Sequence, residues 1–113
     1  MASRRLGHLA HEEIWGAFVD NQNRNIIWER LVKGTVDASS LHPREVLQRA
    51  LELKASGFIL VHNHPGGDVR PSGADLELTE KIRQAAQQIA IRFIDHVIVT
   101  DTACFSLTRD GLL

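Results

Sequence analysis

The amino-acid sequence predicts an α/β fold in which a mixed β-sheet is flanked by helices. Two observations lead to this prediction. Two apolar segments joined by turn-forming residues open the pattern, and strand-like and helix-like segments alternate after them. The chain has 113 residues, of which 43% are hydrophobic, and this suits one domain of ordinary size with one core. We expect that domain to span residues 12–113, after a short lead-in at residues 1–11.

The first predicted elements form a β-hairpin. Residues 14–19 are apolar at positions that would face both sides of a sheet, which is typical of a buried strand. Residues 20–24 are rich in Asn and Asp, which tolerate the left-handed backbone conformation of tight turns. Residues 25–34 are then predicted to be the returning strand.

Two helices and three further strands are predicted after the hairpin. Pro43 suits the first turn of a helix, because its missing N–H has no partner to lose there, and Gly57 can end that helix. The remaining elements are a strand at 58–62, a helix at 72–89, a strand at 92–100 and a short strand at 104–107. Cys104 is expected to be a small buried hydrophobic side chain.

Composition excludes several classes of function. Thirteen basic and fourteen acidic residues give a net charge of -1, so no bulk electrostatic attraction to nucleic acid is expected. The single cysteine, Cys104, cannot form an internal disulfide, and nothing indicates secretion. No apolar run approaches the roughly 18 residues of a membrane span, and the first residues lack the apolar stretch of a signal peptide. We therefore expect a soluble, cytoplasmic protein with no membrane partner.

The segment VHNHPGGDVRPSGAD, residues 61–75, contains the residues with the most informative chemistry. Side chains alternate along a strand, so His62 and His64 are predicted on one side of the sheet and Asn63 on the other. They end a strand, where α/β sheets usually bind ligands, and the Gly- and Pro-rich loop can bring Asp75 back to them. Two imidazoles and one carboxylate form a three-ligand zinc set whose fourth position is open to water.

Each half of this pattern also has a simpler interpretation. Ser72 and Asp75 match the S-x-x-D capping pattern, which by itself predicts only the start of a helix. His62 and His64 alone could serve as polar groups at the end of a strand. The combination of both halves in one segment is what favours a metal site.

The combined pattern resembles the JAMM motif of JAB/MPN domains: H-x-H, seven residues, S, two residues, D. The segments at 34–40, 42–46, 61–65 and 95–99 are similar, in the same order, to bacterial RadC-like proteins. This resemblance covers about residues 12 to 113. It implies the JAB/MPN architecture, which is like that of cytidine deaminases.

The resemblance also implies roles for individual residues. His62, His64 and Asp75 would hold Zn²⁺, and Ser72 would stabilise the oxyanion of a hydrolytic reaction. His96 also lies in a segment that resembles the family sequences. We expect it to be a hydrogen-bonded structural histidine, with support of a metal ligand as the alternative.

The family further uses a glutamate near the first strand to deprotonate the water that the metal activates. Glu12 and Glu13 are both candidates, and on a strand they would point to opposite sides. Glu12 is preferred, because it lies eight residues before Asp20, as in the family pattern.

These roles imply a zinc metallopeptidase or isopeptidase with a peptide or protein substrate. The alternative is a non-catalytic binding or scaffold module in DNA repair or mobile-element function, with direct nucleic-acid binding only weakly supported. The position of Glu12 distinguishes the enzyme from the scaffold, since a glutamate beside the metal favours catalysis and one that points to solvent favours a scaffold. Exposed strand edges also leave a homodimer open.

Overall fold

Five strands form one mixed sheet in the computed structural model, which describes residues 12–32 and 41–113. The strands are β1 (Ile14–Val19), β2 (Asn25–Val32), β3 (Gly57–Asn63), β4 (Arg92–Val99) and β5 (Cys104–Ser106). The helices of the described part are α1 (Pro43–Glu52) and α2 (Gly73–Gln88). The predicted mixed α/β fold is confirmed, while the lead-in at 1–11 lies outside the described residues.

The sheet topology places the start of β1 beside the end of β3. The strand order is β2-β1-β3-β4-β5, and β1 runs antiparallel to both of its neighbours. β3 and β4 are parallel, and α2 provides the crossover that parallel strands require. In the β1–β3 register Ile14 pairs with His62, so the residues just before β1 lie next to the last residues of β3.

The main core lies between the helices and one face of the sheet. We call this the helix-covered face, and Ile14, Phe18, Phe58 and Leu60 point into it. The buried helix residues packed there are Val46, Leu47, Ala50, Leu78, Ile82 and Ala86. Because α1 and α2 both contribute to this single cluster, the position of α2 is set by ordinary apolar packing.

A second, smaller apolar cluster lies on the opposite face of the sheet. Val61 and Val99 are buried there, with Trp15, Trp28, Ile59 and Val97 packed around them. The rings of Trp15 and Trp28 stack with their centroids 5.1 Å apart, across the β1–β2 hairpin. β3 therefore packs against apolar residues on both sides, which explains its hydrophobic run from Phe58 to Val61.

Both helices end with a left-handed residue that is not glycine. Lys54 has φ 56° after α1, and the N–H of Ala55 donates to the carbonyl of Ala50. This is the hydrogen-bond pattern of a Schellman motif. The prediction that Gly57 ends α1 is therefore wrong. Gly57 instead opens β3, where a Cβ would lie 3.1 Å from the carbonyl oxygen of Arg92.

The single cysteine lies on the surface of the protein. Cys104 is exposed at the start of β5, so the prediction of a buried thiol is wrong. β5 is a short strand at the edge of the sheet, and the side chain of its first residue, Cys104, is not covered by other elements.

Among the described residues, no helix is long and apolar enough to cross a membrane.

We expect Leu60→Ala to lower the free energy of unfolding by about 2–5 kcal/mol, because Leu60 is fully buried between β3 and the helices. Urea denaturation followed by circular dichroism measures the change. The matched control is Leu51→Ala, since Leu51 is 58% exposed on α1 and its loss should change stability by less than about 0.5 kcal/mol. Equal effects of the two substitutions would contradict this description of the core.

Candidate metal centre

Three chain segments meet at the end of β3 on the helix-covered face. His62 is the second-to-last residue of β3, and His64 is the first residue after that strand. Glu12 lies two residues before Ile14, the β1 partner of His62, and so points to the same side. Asp75 belongs to the first turn of α2, which returns over the end of β3.

The predicted site residues are brought together by these segments. His62 Nε2 lies 3.4 Å from Glu12 Oε2, and His62 Nδ1 lies 3.3 Å from Asp75 Oδ1. His64 Nε2 lies 3.0 Å from Asp75 Oδ2. The imidazole of His62 thus lies between two carboxylates, and Asp75 contacts both histidines.

Several buried atoms in this cluster lie near charged neighbours but make no hydrogen bond. Both ring nitrogens of His62 and Oε2 of Glu12 are buried, and none has a hydrogen-bond partner among the described residues. Such atoms are costly unless a ligand satisfies them. Glu12, His62 and His64 can each offer one ligand atom within 4.8 Å of the others. Two imidazole nitrogens and a carboxylate oxygen are ligands that zinc accepts, so the cluster fits a zinc ion.

The structure adds Glu12 to the residues that could bind the metal. The sequence predicted Asp75 as the carboxylate ligand and Glu12 as the base. The convergent group contains Glu12, and Asp75 contacts the same two histidines from the other side. The assignment of Asp75 as ligand and Glu12 as base stays a prediction. A Glu12 variant can distinguish it from the reverse assignment, in which Glu12 is the ligand and Asp75 the base.

The charges of the cluster suit cation binding. Burial by itself would raise the pKa of the Asp75 carboxyl, but contacts with His62 and His64 and the Ser72 N–H hold that pKa well below its usual range. A hydrogen bond with Asp75 raises the pKa of His64. Asp75 is therefore ionised at neutral pH, and an ionised carboxylate is the form that binds a metal.

The loop after β3 orients His64. Its Nδ1 lies 2.8 Å from the carbonyl oxygen of Asp68, and since a carbonyl only accepts, Nδ1 carries the proton. Nε2 lies 3.0 Å from Asp75 Oδ2 and donates to it when protonated, so it is the nitrogen that could offer a lone pair to a metal after losing that proton. Arg70 holds the Asp68 carboxylate at 2.8 Å and lowers its pKa to about 2. This loop therefore fixes the ring of a predicted ligand, as residues behind metal ligands commonly do.

Ser72 caps α2 beside the cluster. Its Oγ accepts a hydrogen bond from the N–H of Asp75 at 3.0 Å, and its own N–H donates to Asp75 Oδ2 at 2.8 Å. The capping interpretation of this motif is confirmed, and the predicted role of Ser72 stays a prediction. The hydroxyl acts as an acceptor in the cap, so its proton is not used there and can be donated to a substrate.

His96 and Thr79 support the first turn of α2 from below. Thr79 Oγ1 donates to the carbonyl of Asp75 at 2.7 Å and lies 2.7 Å from His96 Nδ1. Burial lowers the pKa of His96 to about 4, so the ring is neutral. The expected hydrogen bond of His96 is observed, and through Thr79 it reaches the helix turn that carries Asp75. Sequence analysis missed Thr79, although its position four residues after Asp75 places both on one face of the helix.

Glu13 points away from the cluster, to the opposite face of the sheet. Its Oε1 accepts a hydrogen bond from Trp15 Nε1 at 2.9 Å, and Arg30 lies 3.6 Å from its Oε2. Glu12, by contrast, has a side chain that is 27% exposed and lies against His62. Of the two glutamates, the structure places only Glu12 near the histidines.

The chain is similar to a known protein family over nearly all of its length. The model of the RadC-like JAB domain matches residues 1–112, which confirms the family resemblance of the sequence. A relative from Marinobacter nauticus, named "UPF0758 protein", is 40% identical over 109 residues, which is 96% of this chain and 49% of that protein.

Two further relatives carry the same name. The protein of Nitrosococcus oceani is 46% identical over 96 residues, covering 85% of this chain and 43% of its own length. The protein of Acidithiobacillus ferrooxidans is 47% identical over 94 residues, which is 83% of this chain and 42% of that protein. The chain thus spans about half the length of the curated relatives it matches, and their shared name states no activity.

We expect the chain to bind about one zinc ion, and His62→Ala to abolish this binding because a three-ligand site loses an essential donor. Asp75→Asn should weaken it strongly, while the amide oxygen still accepts the Ser72 N–H and preserves the helix cap. Atomic absorption after dialysis and competition with a chromogenic chelator measure stoichiometry and affinity. The matched control is His42→Ala at the exposed start of α1, and unchanged zinc in the His62 variant would refute the site.

Proposed function

The chain belongs to the RadC-like JAB domain family, and we propose that it is a zinc-dependent hydrolase of peptide or isopeptide bonds. The observation that supports this most is the convergence of Glu12, His62 and His64 on one point, with Asp75 against both imidazoles. The proposal concerns the chemistry of this domain, since the curated relatives are about twice as long.

His62, His64 and Asp75 are the proposed zinc ligands. Zinc held by them would supply a Lewis acid, which lowers the pKa of water to about 7. Two neutral imidazoles and one carboxylate leave a net positive charge at the centre, so that Lewis acidity is retained. His62 and Asp75 are buried, and this restricts the approach of substrate to the side of His64 and Glu12.

Glu12 is the proposed general base and acid. Its carboxylate lies beside His62 and is partly open to solvent, where an attacking water and a substrate can both reach it. Glu12 would accept a proton from water as the new C–O bond forms. It would then deliver that proton to the amide nitrogen as the C–N bond breaks, so that a neutral amine leaves.

Ser72 is the proposed oxyanion donor. Its hydroxyl is exposed and is fixed beside Asp75 by the helix cap. The proton that the cap leaves unused would be donated to the carbonyl oxygen as negative charge develops on it. Because the cap holds the hydroxyl in place beforehand, little reorganisation is needed at the moment of reaction.

The position of Glu12 also favours hydrolysis over a non-catalytic binding module. A structural metal site needs a closed set of ligands, whereas a catalytic site keeps an open side. Here the side chains of Glu12 and His64 are 27% and 15% exposed, and those of His62 and Asp75 are 1% exposed. A carboxylate held at the open side of the cluster is of use to a reaction and of little use to a scaffold.

Glu12→Gln should lower kcat by about 10²- to 10⁴-fold, because the amide keeps the shape of the side chain but cannot take a proton. The zinc-loaded protein is assayed on a library of fluorogenic peptides and on lysine-linked isopeptides. Bound zinc is measured in the same samples and should be unchanged.

The matched control is Glu77→Gln on the exposed surface of α2, which should retain full activity. Loss of zinc in the Glu12 variant would show that Glu12 is a ligand and not the base. Absence of cleavage by the zinc-loaded wild-type chain across the whole library would overturn the proposed hydrolase in favour of the binding module.

Ser72→Ala should lower kcat by about 10²-fold, because one donor to the oxyanion is removed. It should also cost about 1 kcal/mol of stability, since the helix cap is lost. Ser72→Thr retains the hydroxyl for both purposes and serves as the control. Steady-state kinetics and urea denaturation of both variants separate the two effects, and equal kcat values for the Ala and Thr variants would contradict the donor role.

A further inference from the structure

We propose that Asn63 is the positioning residue for Glu12, an inference that rests on the proposed function and extends it. Asn63 lies between the two histidines in sequence, but alternation along β3 puts its side chain on the opposite face of the sheet. It is fully buried there, although an amide is costly to bury without hydrogen bonds. Its role therefore has to come from what it contacts on that face.

The contact is with the main chain of Glu13. The Glu13 N–H donates to Asn63 Oδ1 at 2.5 Å, and the Asn63 N–H donates to the Glu13 carbonyl at 3.4 Å. In a regular antiparallel pair the first of these bonds would go to the main-chain carbonyl of the partner. The side chain of Asn63 takes the place of that carbonyl, one residue beyond the last pair of the β1–β3 register, Ile14 with His62.

This bond decides where Glu12 lies. β1 begins only at Ile14, so the regular ladder does not include Glu12. The Asn63 amide holds Glu13, the residue before Ile14, against β3. The pairing of the two segments thereby continues beyond β1, far enough for Glu12 to lie over His62. Without this acceptor, the Glu13 N–H would lose its bond to Asn63 Oδ1, and the pairing with β3 beyond Ile14 would be weakened.

The side chain of Glu13 fixes the direction as well as the position. It is buried on the opposite face, where it contacts Trp15 and Arg30. Because successive side chains alternate, a Glu13 side chain held on one face requires Glu12 to point to the other. Asn63 therefore holds the main chain, and Glu13 orients it.

Accurate placement matters for the proposed base. A displacement of about 1 Å in a catalytic group can cost about 10²-fold in rate. Glu12 reaches His62 at 3.4 Å, and it is the member of the cluster nearest to the start of the described chain. The proposed ligands have supports of their own, since the His64 N–H donates to the Val99 carbonyl and the Asp75 carboxylate accepts from the Ser72 N–H. Loss of that side chain should therefore affect the base and spare the metal.

The test compares Asn63→Leu, which has similar size but no acceptor, with Asn63→Asp, which keeps the acceptor. In the Leu variant, amide hydrogen exchange at Glu13 should become faster by about tenfold or more, and kcat should fall by about 10- to 100-fold. KM and the zinc dissociation constant should change by less than about threefold. In the Asp variant, slow exchange at Glu13 and most of kcat should be retained.

Val61→Ala is the matched control, because Val61 is buried on the same strand and the same face. It should lower the melting temperature but leave Glu13 exchange and kcat near their wild-type values. If Asn63→Leu does not fold, Asn63→Ala provides the same comparison, with amide exchange at Val97 in β4 reporting that the sheet is intact.

The outcomes separate the two proposals. Wild-type Glu13 exchange and wild-type kcat in the Leu variant would overturn the role of Asn63 and leave the hydrolase standing. If the wild-type chain cleaves no substrate, the hydrolase fails. NMR of the Glu12 side chain then tests the positioning role of Asn63 without an activity assay. A single χ1 rotamer of Glu12 in the wild type and rotamer averaging in the Leu variant would support that role. Equal rotamer populations would overturn it.

Discussion

The antiparallel pairing of β1 with β3 is the constraint on which the rest of the site depends. It sets Ile14 beside His62, and the next residue on the same face before Ile14 is Glu12. A shift of one residue in this register would place every β1 side chain on the other face and would bring Glu13 to the histidines instead. The apolar residues of β1, among them Phe18 on the helix-covered face, make such a shift costly, because their burial would be lost.

Several polar side chains are buried around this register. His62, Asn63, Asp75, Thr79 and His96 are all nearly inaccessible to solvent, at the end of a sheet that is otherwise apolar inside. Most of them have partners within the group, as Thr79 does with His96 and with the carbonyl of Asp75. The ring nitrogens of His62 and Nε2 of His96 make no hydrogen bond within the described residues, and those of His62 lie against Glu12 and Asp75 in the candidate site. Satisfied polar groups thus surround unsatisfied ones, which is the arrangement expected where a ligand completes the network.

The helix cap at Ser72 and the contacts with the two histidines use the same Asp75 carboxylate. The Asp75 carboxylate accepts from the Ser72 N–H and contacts both histidines, so the same side chain caps α2 and joins the cluster. The capping and the metal-site interpretations of S-x-x-D are therefore compatible. The cap holds Asp75 in the rotamer in which it faces the histidines, so the ordering of this side chain is achieved on folding and not on binding.

The fold and much of the candidate site could be predicted because they follow from local patterns. The alternating side chains of β3 put His62 and His64 on one side, and the S-x-x-D motif defined the start of α2 to within a residue. Local patterns failed where the backbone had alternatives. Gly57 was expected to end α1, but Lys54 takes the left-handed conformation instead, because the Schellman hydrogen bonds compensate its strain. Cys104 was expected to be buried, and only its position on an edge strand exposes it.

The sequence by itself determined the family, the order of strands and helices, and the residues able to bind a metal. Tertiary structure decided which of two adjacent glutamates faces them, and that Asn63 holds the chain that carries this glutamate. The physical reason is that these features depend on hydrogen bonds and register between segments about 50 residues apart. No periodicity or spacing within one segment encodes which partner a buried N–H will find, since that is fixed only when both strands are in place.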